Sequence, residues 1–186
     1  MSTLPQRATL DDLYRTPGKA ELIGGRIIHL MTTGRKPNRV AFRIVRSLDD
    51  YATAIRVGEA YTDNIGFTIP QLPSGREAFS PDASYYVGPF PADDMRFIIG
   101  PPTFAAEVRS DSDYGKAAEA ALAAKRADYF LAGTTVVWDV DPVNEFIDCY
   151  RATAPDQPVR FVRGDRADAE PVVPGWRLAV EHLRLN

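Results

Sequence analysis

Three runs between residues 79 and 133 decide the fold: FSPDASYYV (79–87), FAAEVRSDSD (104–113) and KAAEAALAAKRADYFLAG (116–133). They read as strand, strand and helix. Pro81 has no amide hydrogen to donate, which suits the entry to a strand over Ala83–Val87. In the strand expected over Thr103–Ser110, alternation puts Phe104, Ala106 and Val108 on one face, with Ala105, Glu107 and Arg109 on the other. Glu107 is thus a carboxylate inside an apolar strand, and burial raises its pKa unless a cation compensates. Arg109, two residues along on the same face, is one candidate partner. A divalent cation shared with Asp82 is the other. The helix is expected from about Gly115 to Leu131, with Gly133 as its stop and Asp111 to Asp113 offering N-caps. With Ala118 at the origin, Leu122 falls at about 40°, Lys125 at about −20° and Tyr129 at about 20° around its axis. Lys125 therefore lies on the stripe that packs against the sheet, whereas Arg126 is free to reach solvent. Either Lys125 snorkels outward, or it meets the two carboxylates. Asp82, Glu107 and Lys125, carried by three successive elements, then form a candidate metal site for phosphodiester hydrolysis.

The flanking sequence supplies the rest of an α/β domain on a mixed sheet. Downstream, TTVVWDVDP (134–142) is a nearly continuous apolar run, as in a central strand covered on both faces. EFIDCYR (145–151) follows as a neighbouring strand, residues 152–170 read as loop around a short strand at Val159–Val162, and Trp176 and Leu178 offer apolar cover. Between the first two runs, GPFPADDMRFIIGPP (88–102) reads as a surface excursion. Upstream, Thr9 caps a short helix that stops before Pro17. AELIGGRIIHLM (20–31) is a hairpin turning at Gly24-Gly25. Glu21, near its start, is either an edge carboxylate in solvent or a member of the site. His29 has no second histidine or cysteine at ligand spacing and reads as a plain strand residue. A helix capped by Asn38 follows, with Val40, Ile44, Leu48, Tyr51 and Ile55 in one stripe and Arg39, Arg43 and Arg46 in another. With Arg35 and Lys36, five cations occur over 35–46 without an acid. They form either a phosphate-contacting patch or a solvated face paired with Asp49 and Asp50. Residues 57–70 read as two short extended pieces.

At 186 residues and 45% hydrophobic content, the chain suits one domain over 1–186. No apolar run approaches the roughly 18 residues that span a bilayer, and the N-terminus lacks a secretory h-region. Cys149 is the sole cysteine, which excludes an internal disulfide and fits a reducing cytoplasm. The net charge of −3 and pI near 5.4 count against a dedicated nucleic-acid binder. They do not count against a nuclease needing only transient contact.

AELIGGRII, SPDASYYV, FAAEVRSDSD, KRADYFLAGTTVVWDVDP and VVPGWRL, in this order and spacing, resemble the Uma2 family, formerly the DUF820 domain, within the PD-(D/E)XK nuclease superfamily. The resemblance covers roughly Asp11 to the C-terminus. It implies a restriction-endonuclease-like core, a mixed β-sheet flanked by helices, acting on DNA with Mg²⁺ or Mn²⁺. By position, Asp82 matches the PD aspartate and Glu107 the acid of (D/E)XK. Arg109 stands where that motif has lysine, Lys125 matches a helix lysine of some members, and Glu21 matches the glutamate of the first hairpin. Asn38 stands where many members carry a histidine. The expected ligands of the ion are Asp82, Glu107 and the backbone carbonyl of Val108. Lys125 is expected to hold or deprotonate the attacking water, with its pKa lowered by burial. Arg109, which stays protonated, would clamp the phosphate or orient Glu107. The expected partners are DNA and a second copy of the chain, with no membrane, in the cytoplasm. A non-catalytic nucleic-acid- or protein-binding module on the same fold and a hydrolase of smaller phosphodiesters remain the alternatives.

Overall fold

A computed structural model of the chain describes residues 7–185. The first six residues of the segment read for an export signal lie outside them. Thr9 caps α1 (Leu10–Arg15) in a reciprocal box with Asp12, pairing amides that a helix start leaves open. The hairpin forms as expected: β1 (Ala20–Ile23) pairs antiparallel with β2 (Arg26–His29). Gly24 and Gly25 both take positive φ, +59° and +71°, as a two-residue turn of the primed type demands. The long helix α2 (Arg35–Ile55) begins earlier than expected. Its N-cap is Gly34, without a side-chain cap, and Asn38 lies one turn inside, donating its amide to Gly34. Pro37 is tolerated because first-turn amides have no intrahelical acceptor.

The chain continues through β3 (Glu59–Thr62), β4 (Phe67–Thr68), β5 (Ala78–Phe79), β6 (Ala83–Tyr86), β7 (Ile98–Ile99) and β8 (Phe104–Val108). Helix α3 (Lys116–Ala132) leads to β9 (Val136–Asp141), β10 (Phe146–Arg151), β11 (Ala154–Phe161), β12 (Arg166–Asp168) and β13 (Arg177–Ala179). Six strands form one mixed sheet in the order β11-β10-β9-β8-β6-β3. β8 and β9 are its parallel pair, and α3 is the crossover such a pair requires. β9 is buried at every position, because helices and the C-terminal segment cover both faces.

The alternation along β8 sorts the core. Phe104, Ala106 and Val108 pack with Val40, Ile44 and Leu48 of α2. Ala105 packs on the other face with Tyr129 of α3 and with Phe67 and Phe79 of the small β5-β4-β7 sheet. On the α2 face, Trp138 lies edge-on to Phe104, with centroids 5.1 Å apart, and stacks on Trp176 at 4.9 Å.

Several boundaries differ from the sequence reading. Ile55, the last residue of α2, is exposed rather than part of the buried stripe. The excursion over 88–102 contains β7, which pairs parallel with β4. Residues 152–170 hold an eight-residue strand, β11, rather than a short one. Its Pro155 and Pro158 are compatible with a strand at the sheet's edge. Helix α3 is capped by Gly115 and not by Asp111 to Asp113; Asp113 instead accepts from the amide and hydroxyl of Ser110. Among the described residues no helix is long and apolar enough to cross a membrane. Trp138→Ala removes one ring of the three-ring cluster with Phe104 and Trp176. It is expected to lower stability by about 3–5 kcal/mol, read as a lower urea midpoint with an unchanged slope.

Candidate active site

Ala83 of β6 faces Ala106 of β8, and Ser84 faces Ala105. Asp82 immediately precedes β6 and so comes beside the end of β8 that carries Glu107 and Val108. Asp82 Oδ2 accepts a hydrogen bond from the Val108 amide at 2.9 Å, and Oδ1 is 2.7 Å from Lys19 Nζ. Glu107 Oε1 accepts from the Tyr129 hydroxyl at 2.6 Å and is 2.9 Å from Lys125 Nζ. The same ammonium is 3.1 Å from Glu21 Oε1. Lys125 and Tyr129 are four apart on α3, so one turn of helix delivers both to Glu107. Glu21 is buried, accepting from the Ser80 amide at 3.1 Å and pairing with the Arg76 guanidinium. Arg76 extends the chain of charges to Asp128, with Nε 2.9 Å from Oδ2. Lys19, Glu21, Asp82, Glu107 and Lys125 line one cleft of about 880 Å³, with Lys36 also on its wall.

Burial lifts the Glu107 carboxyl above its ordinary range; the Lys125 ammonium opposes this, while Asp82 and Glu21 add to it. Burial acts on Glu21 in the same sense, but Lys125 and Arg76 outweigh it and hold that carboxyl low. For Lys125, burial favours the neutral amine, yet Glu107 and Glu21 prevail and hold the ammonium above its ordinary range. This reverses the expectation that burial would turn Lys125 toward a base. Desolvation acts alone only where no counter-charge is within contact.

The remaining expected residues fall in different places. Arg109 donates to both carboxylate oxygens of Asp139, at 2.7 and 2.8 Å, and also pairs with Glu119. Its guanidinium is therefore engaged in a buried fork, and Lys125, not Arg109, is the cation on Glu107. Arg126 is largely covered rather than free in solvent: it lies 3.6 Å over the Tyr150 ring and 3.8 Å from Asp139. Arg43 donates to the carbonyl oxygens of His182 and Arg184, so it ties α2 to the C-terminal segment. Neither it nor Arg39 and Arg46 lines the cleft, whereas His29 and Val108 do. Asn38 faces a smaller cavity beside Asp82 and Val108.

Sequence reasoning missed Lys19 and Arg76. Lys19 precedes the hairpin outside any periodic stripe, and Arg76 belongs to what reads as a polar turn. Their carboxylate partners lie 63 residues away for Lys19, and 55 and 52 residues away for Arg76. Tyr129 was legible as a packing residue, but its hydroxyl contact was not.

The residues present fit a hard divalent cation. Two carboxylates and the nearby Val108 backbone are oxygen donors, and Mg²⁺ commonly takes one or two carboxylates with waters completing its shell. Glu107 Oε2 accepts no hydrogen bond among the described residues and is the oxygen open to an ion. Among those residues no three metal-binding side chains are grouped; Lys19 and Lys125 each hold one carboxylate oxygen, on Asp82 and Glu107.

The Uma2 family model, described as "Putative restriction endonuclease", matches residues 7–181. A solved structure described as "a putative nuclease belonging to DUF820 from Anabaena variabilis ATCC 29413" has a similar fold, with a TM-score of 0.74 and 19% identity. The match covers 94% of this chain and 96% of that one. No curated protein matches the chain.

Lys125→Met leaves Glu21 and Glu107 facing each other without their shared cation. It should cost about 3–5 kcal/mol near pH 8, the penalty of half a buried ion pair. The folded-state pKa of Glu107 lies above its unfolded value. Its contribution is therefore most favourable below the unfolded value and is lost as pH rises through the folded one. The deficit in Lys125→Met should accordingly shrink at pH 5, measured by urea denaturation at both values.

Proposed function

The chain belongs to the Uma2 family, and from this premise we propose that it is a metal-dependent DNA endonuclease that hydrolyses phosphodiester bonds. The observation that carries the reading is the meeting of Glu107 with Lys125, at 2.9 Å, beside Asp82 in an open cleft. In this reading Asp82 and Glu107 hold Mg²⁺ or Mn²⁺, with the Val108 carbonyl as a further ligand. When bound, the ion supplies Lewis-acid neutralisation of phosphate charge and acidification of water. The rest of the work falls to the chain's own groups. The Val108 amide orients Asp82 and the Tyr129 hydroxyl orients Glu107. Lys125 keeps its proton near neutral pH, so it acts as a donor that positions the attacking water or a phosphate oxygen, not as the base. Glu21 fixes Lys125 from the buried side. Arg109 lines the cleft with its guanidinium paired to Asp139 and Glu119, and in this reading it braces α3 against β9.

The net charge of −3 favours a second reading, a binding module that retains the nuclease fold. Supercoiled-plasmid nicking with Mg²⁺ or Mn²⁺, against chelator, separates the two. The wild type should nick only with metal, and Mn²⁺ should raise its melting temperature. Asp82→Ala should lose at least about 100-fold in rate together with the thermal shift. Lys125→Met should lose cleavage and keep the shift. Plasmid retention without nicking under every condition would favour the binding module, and full activity of Asp82→Ala would overturn the proposed centre.

A further inference from the structure

Two lysines meet the carboxylates of the cleft, and they are held differently. Lys125 lies between Glu107 at 2.9 Å and Glu21 at 3.1 Å. Glu21 is itself fixed by Arg76 and the Ser80 amide. Withdrawing Lys125 would strand two carboxylates together. Lys19 has a single ion pair among the described residues, 2.7 Å to Asp82 Oδ1. Asp82 keeps its other oxygen on the Val108 amide at 2.9 Å, so the carboxylate stays in place if the ammonium leaves. Lys19 follows Gly18 in the loop before β1, and its side chain lines the open cleft.

Charge balance favours the same asymmetry. Within the ion-paired set, Glu21, Asp82, Glu107 and Asp128 outnumber Lys19, Arg76 and Lys125 by one. A divalent cation would reverse that sign. Lys19 would then be surplus beside Asp82 and free to take an anionic partner.

We infer that Lys19 is a displaceable counter-ion, which releases Asp82 to the divalent cation and pairs instead with a phosphate oxygen of the nucleic-acid strand in the cleft. This rests on the metal-dependent nuclease reading above. Lysine suits the exchange, being a compact charge on a flexible stem whose donors rotate freely. One singly charged oxygen partner is exchanged for another, so the ammonium is never buried alone. The consequence is a pair of effects with opposite signs: removing Lys19 helps the metal and harms the substrate. A fixed structural ion pair predicts neither.

The test combines calorimetric titration with Mn²⁺ and plasmid-cleavage kinetics for wild type, Lys19→Met, Lys19→Gln, Lys19→Arg and Asp82→Ala. Lys19→Met should bind Mn²⁺ about fivefold tighter, the weight of a part-exposed ion pair. Its KM for plasmid should rise about tenfold, and the salt dependence of that KM should lose about one unit of logarithmic slope, as for one phosphate contact removed. Lys19→Arg should return KM toward wild type, and Lys19→Gln reports the same Mn²⁺ comparison should the methionine variant fold poorly. Mn²⁺ affinity unchanged or weaker in both neutral variants, with Asp82→Ala unable to bind, would overturn the inference while leaving the metal centre standing. Mn²⁺ binding indifferent to Asp82→Ala would remove the centre itself, and the inference with it.

Discussion

A line of buried and part-buried charges, Asp128–Arg76–Glu21–Lys125–Glu107, is the constraint on which the rest of the structure depends. Taking an ion out of water costs several kcal/mol unless partners and hydrogen bonds replace its hydration. No member of this line could occupy its place alone. Each link joins a different part of the chain: α3 to the turn before β5, that turn to the first hairpin, the hairpin back to α3, and α3 to β8. The backbone follows the same seam. Gly24 donates to Gly75, Glu77 donates to Leu22, and Ile23 bridges Arg76. At Gly75, with φ of +87°, a Cβ would come within 2.8 Å of the Gly24 nitrogen, so the close approach that brings Arg76 to Glu21 requires glycine.

Around that line the site combines fixed and yielding contacts. Tyr129 is fully buried and stacks on Phe79 at 4.1 Å, so the hydroxyl that holds Glu107 cannot wander. The amide that holds Asp82 belongs to β8 itself. Both carboxylates are thus aimed by rigid donors through one oxygen each. What varies is the cation on the other side: Lys125 is clamped twice, Lys19 once.

A second ionic cluster does structural work nearby. Arg109 forks between Asp139 of β9 and Glu119 of α3, while Arg126 covers Tyr150 of β10. These contacts hold the crossover helix against the parallel pair and so keep Lys125 over the sheet. Arg43, offered to phosphate by charge patterning, and Arg109, offered by its motif position, both satisfy acceptors of the protein itself. The cations that line the cleft are Lys19, Lys36, Arg76, Arg109 and Lys125, the two arginines being held by carboxylates of the protein.

Much of this was legible in the residues themselves. Local periodicity and turn chemistry determined the Gly24-Gly25 hairpin, the buried strand at Val136–Asp141, the two faces of β8 and the inward stripe of α3. Those features depend on neighbours a few positions away, and the chain carries that information directly. From them the meeting of Glu107 and Lys125 was one of two open readings, because alternation and helical period point each side chain inward but do not choose its partner. Tertiary structure alone decided that Glu21 is buried and not at a solvent edge, that Lys19 and Arg76 complete the charge line, and that Lys125 holds its proton more tightly than in water. The physical reason is range. A pKa and an ion pair depend on charges a few ångströms apart in space, and here those charges come from residues tens of positions apart in the chain, which no local pattern encodes.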